Sequence, residues 1–452
     1  MDEAPTARAD LVDLVFAAGV VGAGGAGFPT HKKLEASPRL LIVNGAECEP
    51  LLASDRYLMR RHADEIVAGV LAVADACDIP RVVIGTKSHY EREIEALRAA
   101  IRAAGAPIEI HGGDSFYPAG DEQVLIYEIT GETVPPGGIP LALGIVVINV
   151  TTARHIELAR RGEPMTRRLV TVTGSVAHPC LVDAPVGALP ADLIAAAGGT
   201  TCDPFAFVRG GPMMGRYLPG DQADVMGYGK ADAGLVVLPA HHPLVMFNET
   251  PEAHYLNNTS ACIQCQLCTD MCPRYLIGHQ MRPHLVMRSV STFTYPEDLA
   301  DALLCCECGI CELFACPMGL SPRKVNEYAK RVLRARGVNR GDPEVHPEYT
   351  AERACRGIPQ ARLIDRWQLG SYPTDLDDVV RLDPARVTIP TRHGVGVPAD
   401  PVVAVGETVV AGQVIASVDR AVTGALVHAS IDGRVASVDA SHITIERQGE
   451  AA

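Results

Sequence analysis

Cys262-Ile-Gln-Cys265-Gln-Leu-Cys268-Thr-Asp-Met-Cys272-Pro273 and Cys305-Cys306-Glu-Cys308-Gly-Ile-Cys311-Glu-Leu-Phe-Ala-Cys316-Pro317 hold nine of the fourteen cysteines of this 452-residue chain. Each run sets three cysteines at two-residue gaps and a fourth before a proline. Three thiolates so spaced wrap one face of an iron–sulfur cube, and the fourth reaches the neighbouring cube. The spacing assigns Cys262, Cys265, Cys268 and Cys316 to one [4Fe–4S] cluster. Cys305, Cys308 and Cys311, with Cys272, take the second. Zinc sites usually pair Cys-x2-Cys with a second pair at a distance, and disulfide frameworks belong to short secreted chains. Neither fits here. Only Cys305 keeps the two-residue spacing, so the leftover Cys306 reads as a small buried residue. Clusters of this kind pass single electrons, so the rest of the chain has to supply a donor site and an acceptor site.

The bulk composition narrows the partners. A chain of this length holds three or four domains with real cores, and 47% hydrophobic residues are typical of a globular protein. A net charge of −14 argues against nucleic acid, which needs a basic face. The stretch from Met1 to Asp10 lacks the basic and apolar regions of a secretory signal. No apolar run is long enough to span a membrane. Clusters and free thiols belong in a reducing compartment, so the expected location is the cytoplasm or an enclosure within it.

Upstream of the cysteines, residues 1–160 alternate helical and strand patterns. Helices are expected at Ala9–Ala18, Asp55–Cys77, His89–Ala104 and Gly120–Thr130. Strands are expected at Leu40–Val43, Arg81–Gly85, Ile108–His111 and Ile145–Val150. Strands separated by helices give right-handed crossovers and a parallel sheet, with ligands at the strands' carboxyl ends.

A glycine loop, Gly22-Ala-Gly24-Gly25-Ala-Gly27-Phe28-Pro29-Thr30, precedes the first strand. It matches G-x-G-x-x-G in letters only, because a dinucleotide fingerprint follows a strand and Leu11–Phe16 reads as helix. What remains is a backbone bare of side chains that runs into a helix start, suited to a phosphate or a flat ring. Lys32 and Lys33 follow one turn later, able to neutralise phosphate or simply solvated. Asn44-Gly-Ala-Glu47-Cys48-Glu49-Pro50 sits at a strand tip, where its acids face either a ligand or water. Tyr117-Pro-Ala-Gly120-Asp121-Glu122 and Asn149-Val-Thr151-Thr152 end two further strands. Three polar tips beside one glycine loop suit one concave site.

The strings GAGGAGFPTHKKL, NGAECEP with Asp55-Arg56 beyond, YPAGDEQ and INVTTA, in that order over residues 19–155, resemble the flavin-binding unit of the Rnf-complex C subunit. They resemble the cobalamin reductases of propanediol-utilisation microcompartments more closely, and the flavin subunit of respiratory complex I more distantly. In that superfamily FMN lies on the glycine loop and NADH stacks over it. The resemblance implies that Gly22, Gly24, Gly25, Lys33, Asn44, Glu47, Tyr117, Gly120, Glu122, Asn149 and Thr152 line FMN. It implies that Phe28 and Glu49 contact NADH as the catalytic pair. Complex I departs from this chain at Ala23, Ala46 and Ile148.

The remaining segments differ in texture. Residues 163–240 read as a small α+β unit, similar to the soluble-ligand-binding β-grasp (SLBB) module that follows the flavin domain in the same superfamily. Its plainest role is a spacer, with Met213 and Met214 as core or loop filler. Pro322–Arg336 is a basic helix, and residues 337–385, rich in proline, arginine and aspartate, read as connector. Residues 386–448 carry short strands with glycines at the turns and are similar to a lipoyl-type barrel-sandwich. That segment has no lysine, so it carries no lipoate or biotin and reads as a docking module.

The expected architecture is therefore multidomain α/β. A Rossmann-like FMN/NADH domain (1–160) is followed by an SLBB-like β-grasp domain (161–245). A helical ferredoxin-type two-cluster domain (255–336), the connector (337–385) and an all-β barrel-sandwich hybrid (386–450) complete it. The resemblance implies an NADH-dependent oxidoreductase that passes electrons through FMN and two [4Fe–4S] clusters to cobalamin. A cobalamin-dependent dehydratase system, an adenosyltransferase and microcompartment shell proteins are its implied partners. The alternative is the electron-transfer C subunit of an Rnf-type ferredoxin:NAD oxidoreductase. Domain order favours the first, since the Rnf proteins carry the barrel-sandwich ahead of the flavin domain. No D-x-H-x-x-G corrin motif is present, so cobalamin would be a substrate and not a resident cofactor.

Overall fold

The computed structural model describes residues 7–292, 299–339 and 344–447. Its first unit is built on a parallel sheet of β1 (Leu40–Asn44), β2 (Val82–Lys87), β3 (Ile108–Gly113) and β5 (Ile145–Asn149), in the order β3-β2-β1-β5. Leu40, Leu41, Ile42 and Val43 are all at most 1% exposed. Such a continuous apolar run is what a parallel strand covered on both faces requires. Leu41, Val43, Val82 and Ile84 pack with α1 (Ala7–Ala17), α4 (Ala63–Ala76), α5 (Glu91–Ala104) and α7 (Val150–Arg160). Leu40, Ile42, Val83 and Val147 pack against α6 (Glu122–Thr130) on the other face. Each such aliphatic side chain contributes roughly 1.5–3 kcal/mol by leaving water.

Strand order reverses between β1 and β5, so the carboxyl ends of these two strands form the switch point where ligands of open α/β sheets bind. Asn44 and Asn149 are register partners there. α2 (Thr30–Leu34) begins directly after the glycine loop. The helix expected over Asp55–Cys77 is two helices, α3 (Ser54–Arg61) and α4. His62 leaves the helical region between them (φ −131°, ψ 32°) while its N–H still bonds Leu58 O.

The second unit is a mixed sheet of β6 (Arg167–Gly174), β7 (Cys180–Pro185), β8 (Phe205–Arg209), β9 (Arg216–Pro219) and β10 (Gly234–Pro239), with α8 (Pro190–Ala196) on it. Val170, Val172, Val182, Phe207, Leu235 and Val237 fill its core. The cysteine region that follows is made of short helical turns around the two runs, braced by the helix Pro322–Ala335 against Pro283–Thr292. Gln264, Gln266 and Glu307 lie in the left-handed region at φ 55°, 66° and 62°. Side chains avoid that region unless the surroundings enforce it, and these residues stand between the cysteines, where the backbone has to coil tightly.

The segment expected as a connector does more than connect. Its β11 (Ile358–Pro359) pairs with β4 (Phe116–Tyr117) of the first unit, and β12 (Val379–Arg381) extends the second sheet beside β7. The Trp367 indole N–H donates to Leu313 O at 2.9 Å. Asp375 and Asp377 pair with Arg56, Arg60 and Arg92. Proline and charge made this stretch look unstructured, whereas each of its short pieces is completed by a partner elsewhere in the chain.

The last unit packs two small sheets face to face. One contains β13 (Arg386–Pro390), β15 (Thr408–Val409), β18 (Gly433–Val438) and β19 (His442–Glu446); the other contains β14 (Asp400–Pro401), β16 (Val414–Ser417) and β17 (Val427–His428). Val387, Ile389, Ile415, Val427, Ile443 and Ile445 lie between them. This unit docks on the glycine loop of the first. Val395 N donates to Ala26 O at 2.9 Å. A Cβ on Gly27 would lie 2.1 Å from His393 O, and one on Gly394 2.4 Å from Ala26 O. Among the described residues no helix is long and apolar enough to cross a membrane.

Candidate flavin and iron–sulfur site

The three polar tips and the glycine loop meet at the switch point. Asn44 Nδ2 donates to Gly120 O at 2.9 Å, and Asn44 Oδ1 accepts from Ala46 N at 3.0 Å. Asn149 caps α7 by accepting from Thr151 N at 2.8 Å, and its Nδ2 donates to Asp55 Oδ2 at 2.6 Å and Asn44 O at 3.3 Å. The loop is tied in by Ala23 N, which donates to Thr152 Oγ1 at 2.9 Å. Lys33 Nζ donates to Val147 O at 2.8 Å, lies 3.6 Å from Glu122, and stands 5.9 Å from the centre of the Phe28 ring. Gly120 admits no larger residue, since a Cβ would lie 2.3 Å from Ala46 O.

The loop face fits a flat cofactor. Gly24 and Gly25 are exposed. A Cβ on Gly25 would meet nothing within 4 Å, and one on Gly24 would reach only Asn149, at 3.4 Å. Gly25 holds φ +122°, which favours glycine. Gly24, Lys33, Asn44, Gly120, Glu122, Asn149 and Thr152 are thus joined by contacts in one place, with a bare backbone surface in front of it.

The two acids of the first strand tip behave differently from exposed carboxylates. Burial, then the nearby Asp55 carboxylate, pushes Glu47 up to about 8, although its Oε1 accepts from Glu49 N at 2.9 Å. Burial raises Glu49 to about 7 against the opposing pull of two amides. Those amides are Met213 N and Met214 N, each 2.9 Å from the Glu49 carboxylate. Sequence reasoning read these methionines as filler. Their backbone, in the turn after β8, is what holds Glu49. Met213 O in turn accepts from Arg323 Nη1 at 2.7 Å, and Arg323 lines a cysteine cavity.

The cysteines gather as two sets. Cys262, Cys265, Cys268 and Cys316 line one cavity. Cys272, Cys305, Cys306, Cys308 and Cys311 line another. The distant fourth cysteine of each run therefore stands with the other run. Thiolate quartets are the donor chemistry of iron–sulfur clusters, so the residues present fit such groups. Cys306, expected as a small buried residue, is half-buried and lines the second cavity, because Glu307 in the left-handed region turns the chain beside it. The first cavity opens outward, with Cys265 exposed and Ile263 and Met318 at its rim 61% and 48% exposed. The second adjoins the flavin motifs. Tyr117 OH donates to Cys308 O at 2.8 Å, and Arg274, just after Cys272-Pro273, pairs with Asp121 at 2.8 Å.

Family models match in the same order as these units. Residues 15–158 match the Nuo51 FMN-binding domain, 169–217 the SLBB domain, 261–321 the 4Fe-4S dicluster domain and 377–451 the RnfC barrel sandwich hybrid domain. These matches identify a flavin and iron–sulfur oxidoreductase. Cobalamin reductase PduS of Citrobacter freundii is 40% identical over 99% of this chain and all of that protein. Its namesake from Salmonella typhimurium is 40% identical over 97% and 96%. The C subunit of the ion-translocating oxidoreductase complex of Rhodobacter capsulatus is 37% identical, over 58% of this chain and 49% of its own. Among solved structures, a chain of an NAD+-reducing [NiFe]-hydrogenase in the H2-reduced state has a TM-score of 0.52 at 23% identity. That likeness covers 73% of this chain and 62% of the other, and is one of fold. With two relatives matched end to end and the same units in place, the chain belongs to the PduS cobalamin reductase family.

Proposed function

We propose that this chain is an NADH-dependent cobalamin reductase that carries electrons through FMN and two [4Fe–4S] clusters to the corrin cobalt. The observation that carries the reading is the joining of a bare glycine loop to two cysteine cavities within one chain. Cobalamin as acceptor is supported by the activity in the names of the two relatives that align end to end. FMN, once bound, converts a hydride into single electrons that clusters can relay.

In this reading Gly22, Gly24, Gly25, Asn44, Tyr117, Gly120, Glu122, Asn149 and Thr152 shape the flavin seat, and Lys33 supplies positive charge. Phe28 and Glu49 meet the nicotinamide nucleotide. Glu47 and Glu49, with their affinity for protons raised by burial, keep the seat less negative and so tolerate an anionic cofactor. Cys262, Cys265, Cys268 and Cys316 hold the outer cluster. Cys272, Cys305, Cys308 and Cys311 hold the inner one. The working domains are 1–160, 161–245, 255–336 and 386–450, with 337–385 strapping them together. The product would serve a cobalamin-dependent dehydratase through an adenosyltransferase, inside a microcompartment.

The test is anaerobic reduction of cob(III)alamin by NADH, followed by the visible spectrum of cob(II)alamin. Corrin reduction that disappears in Cys265→Ser and Cys308→Ser, while NADH-to-dye activity persists, is the expected result. A wild type that leaves cobalamin untouched but turns over ferredoxin briskly would replace this reading with the Rnf-type one.

A further inference from the structure

Arg168 belongs to the second unit, as the second residue of β6, yet its side chain ends at the glycine loop of the first. It is 3% exposed. Its Nη2 donates to Ala23 O at 3.0 Å and its Nε to Asp232 O at 3.1 Å. Nη1 is buried and has no hydrogen-bond partner among the described residues. The neighbouring acids Asp55, Asp232 and Glu47 are engaged elsewhere: Asp232 with Arg209 at 2.6 Å, Asp55 with Asn149 and Thr151 at 2.6 and 2.8 Å, and Glu47 with the Glu49 amide at 2.9 Å.

A guanidinium is always charged. Burying one without a carboxylate in contact costs stability, and an apolar residue would fill the same volume more favourably. Tying the loop to the second domain needs a hydrogen-bond donor at this boundary but not a permanent charge. The group does have a use if an anion joins the site. Ala23 stands between Gly22 and Gly24, and both its polar atoms are held: N–H by Thr152, C=O by Arg168. The loop is thus clamped from two domains while the Gly24–Gly25 face stays bare. A cation with a spare donor lies directly against that clamp.

We propose that Arg168 is a positioning residue for the flavin, supplied by the SLBB-type domain: it fixes the glycine loop at Ala23 and places a permanent positive charge beside it. The inference rests on the reading of that loop as the FMN seat. A fixed positive charge favours the more negative, reduced state of a bound flavin, so the residue raises the flavin's midpoint potential as well as its affinity. The second domain thereby takes part in the redox chemistry of the first.

The test uses full-length protein purified anaerobically, as Arg168→Met, Arg168→Lys and Thr152→Ala. FMN affinity is read by fluorescence quenching after flavin removal, with riboflavin in parallel, and the flavin potential by spectroelectrochemistry. Arg168→Met should weaken FMN at least tenfold and shift the potential to more negative values. Thr152→Ala loosens the loop without touching charge, so it should weaken FMN with the potential unmoved. A loss seen with FMN but not riboflavin locates the charge at the phosphate, and an equal loss locates it at the ring. A folded Arg168→Met with FMN affinity within threefold and an unchanged potential overturns the proposal, as does an equal potential shift in Thr152→Ala. If Arg168→Met does not fold, Arg168→Lys decides: weaker FMN with the potential kept is expected, and wild-type affinity overturns it. Wild-type protein that binds no FMN would instead refute the underlying reading of the loop.

Discussion

The phenolic hydroxyl of Tyr117 donates to the main-chain carbonyl of Cys308 at 2.8 Å, with the tyrosine 2% exposed. One residue of the flavin motifs thus bonds directly to a residue that lines the inner cysteine cavity. Tyr117→Phe removes that bond at about 1 kcal/mol and leaves the packing. The variant should keep FMN and NADH-to-dye turnover, while cluster reduction by NADH, followed at the cluster absorbance in stopped flow, slows severalfold. An unchanged rate would exclude this contact from the electron route.

The crossed arrangement of cysteines makes a prediction that sequence adjacency would not. Wild-type protein should hold about eight iron per chain, from two cubane clusters. Cys272→Ser should damage the cluster of Cys305, Cys308 and Cys311, and Cys316→Ser that of Cys262, Cys265 and Cys268. EPR of the reduced variants separates the two sets of signals. Loss of the sequence-adjacent cluster in either variant would overturn the assignment.

The glycines separate two kinds of failure. Gly24→Val projects a branched side chain from the bare loop face and should empty the flavin seat with the fold intact. Gly120→Ala drives a Cβ to 2.3 Å from Ala46 O, so it should lower stability by about 1–3 kcal/mol and lose flavin as a result. Flavin content beside thermal melting distinguishes them. FMN retained at full occupancy by Gly24→Val would place the cofactor elsewhere.

Glu47 and Glu49 give the flavin-free protein a definite pH response. Both carboxyls bind protons more tightly folded than unfolded, near 8 and 7 against an ordinary 4.5. The folded state therefore holds more protons on these two carboxyls, and their contribution to stability is lost as pH rises from about 4.5 to 8. Glu47→Gln lacks the Glu47 part of that dependence, so its melting temperature should gain on that of wild type as pH rises across this range. Glu49→Gln should keep FMN but weaken NADH use, because an amide in place of the carboxyl sets its own N–H against one of the Met213 and Met214 donors. Normal reduction of this variant by NADH would remove Glu49 from the donor site.

Cluster spacing and the parallel sheet were legible because local rules govern both. Thiolate reach sets the x2-x2 gaps, and burial on both faces sets the apolar runs at Leu40–Val43 and Ile145–Ile148. The meeting of Asn44, Gly120 and Asn149 followed from strand tips sharing one edge. What stayed hidden was long-range. Nothing local marks Arg168 as reaching Ala23, or Met213 and Met214 as offering amides to Glu49. The 337–385 segment misled for the same reason. Its strands are two and three residues long, and each exists only through a partner more than a hundred residues away. His62 broke a helix that apolar periodicity had run straight through.

The hydrogen bond from Val395 to Ala26 also orders events on the ribosome. The glycine loop is synthesised well ahead of the backbone it packs against. At roughly 5–20 residues per second the loop waits roughly 20–70 s for that neighbour. A nascent protein stalled before the barrel-sandwich therefore carries a glycine loop whose Ala26–Gly27 side is unpacked, open to solvent or to a chaperone.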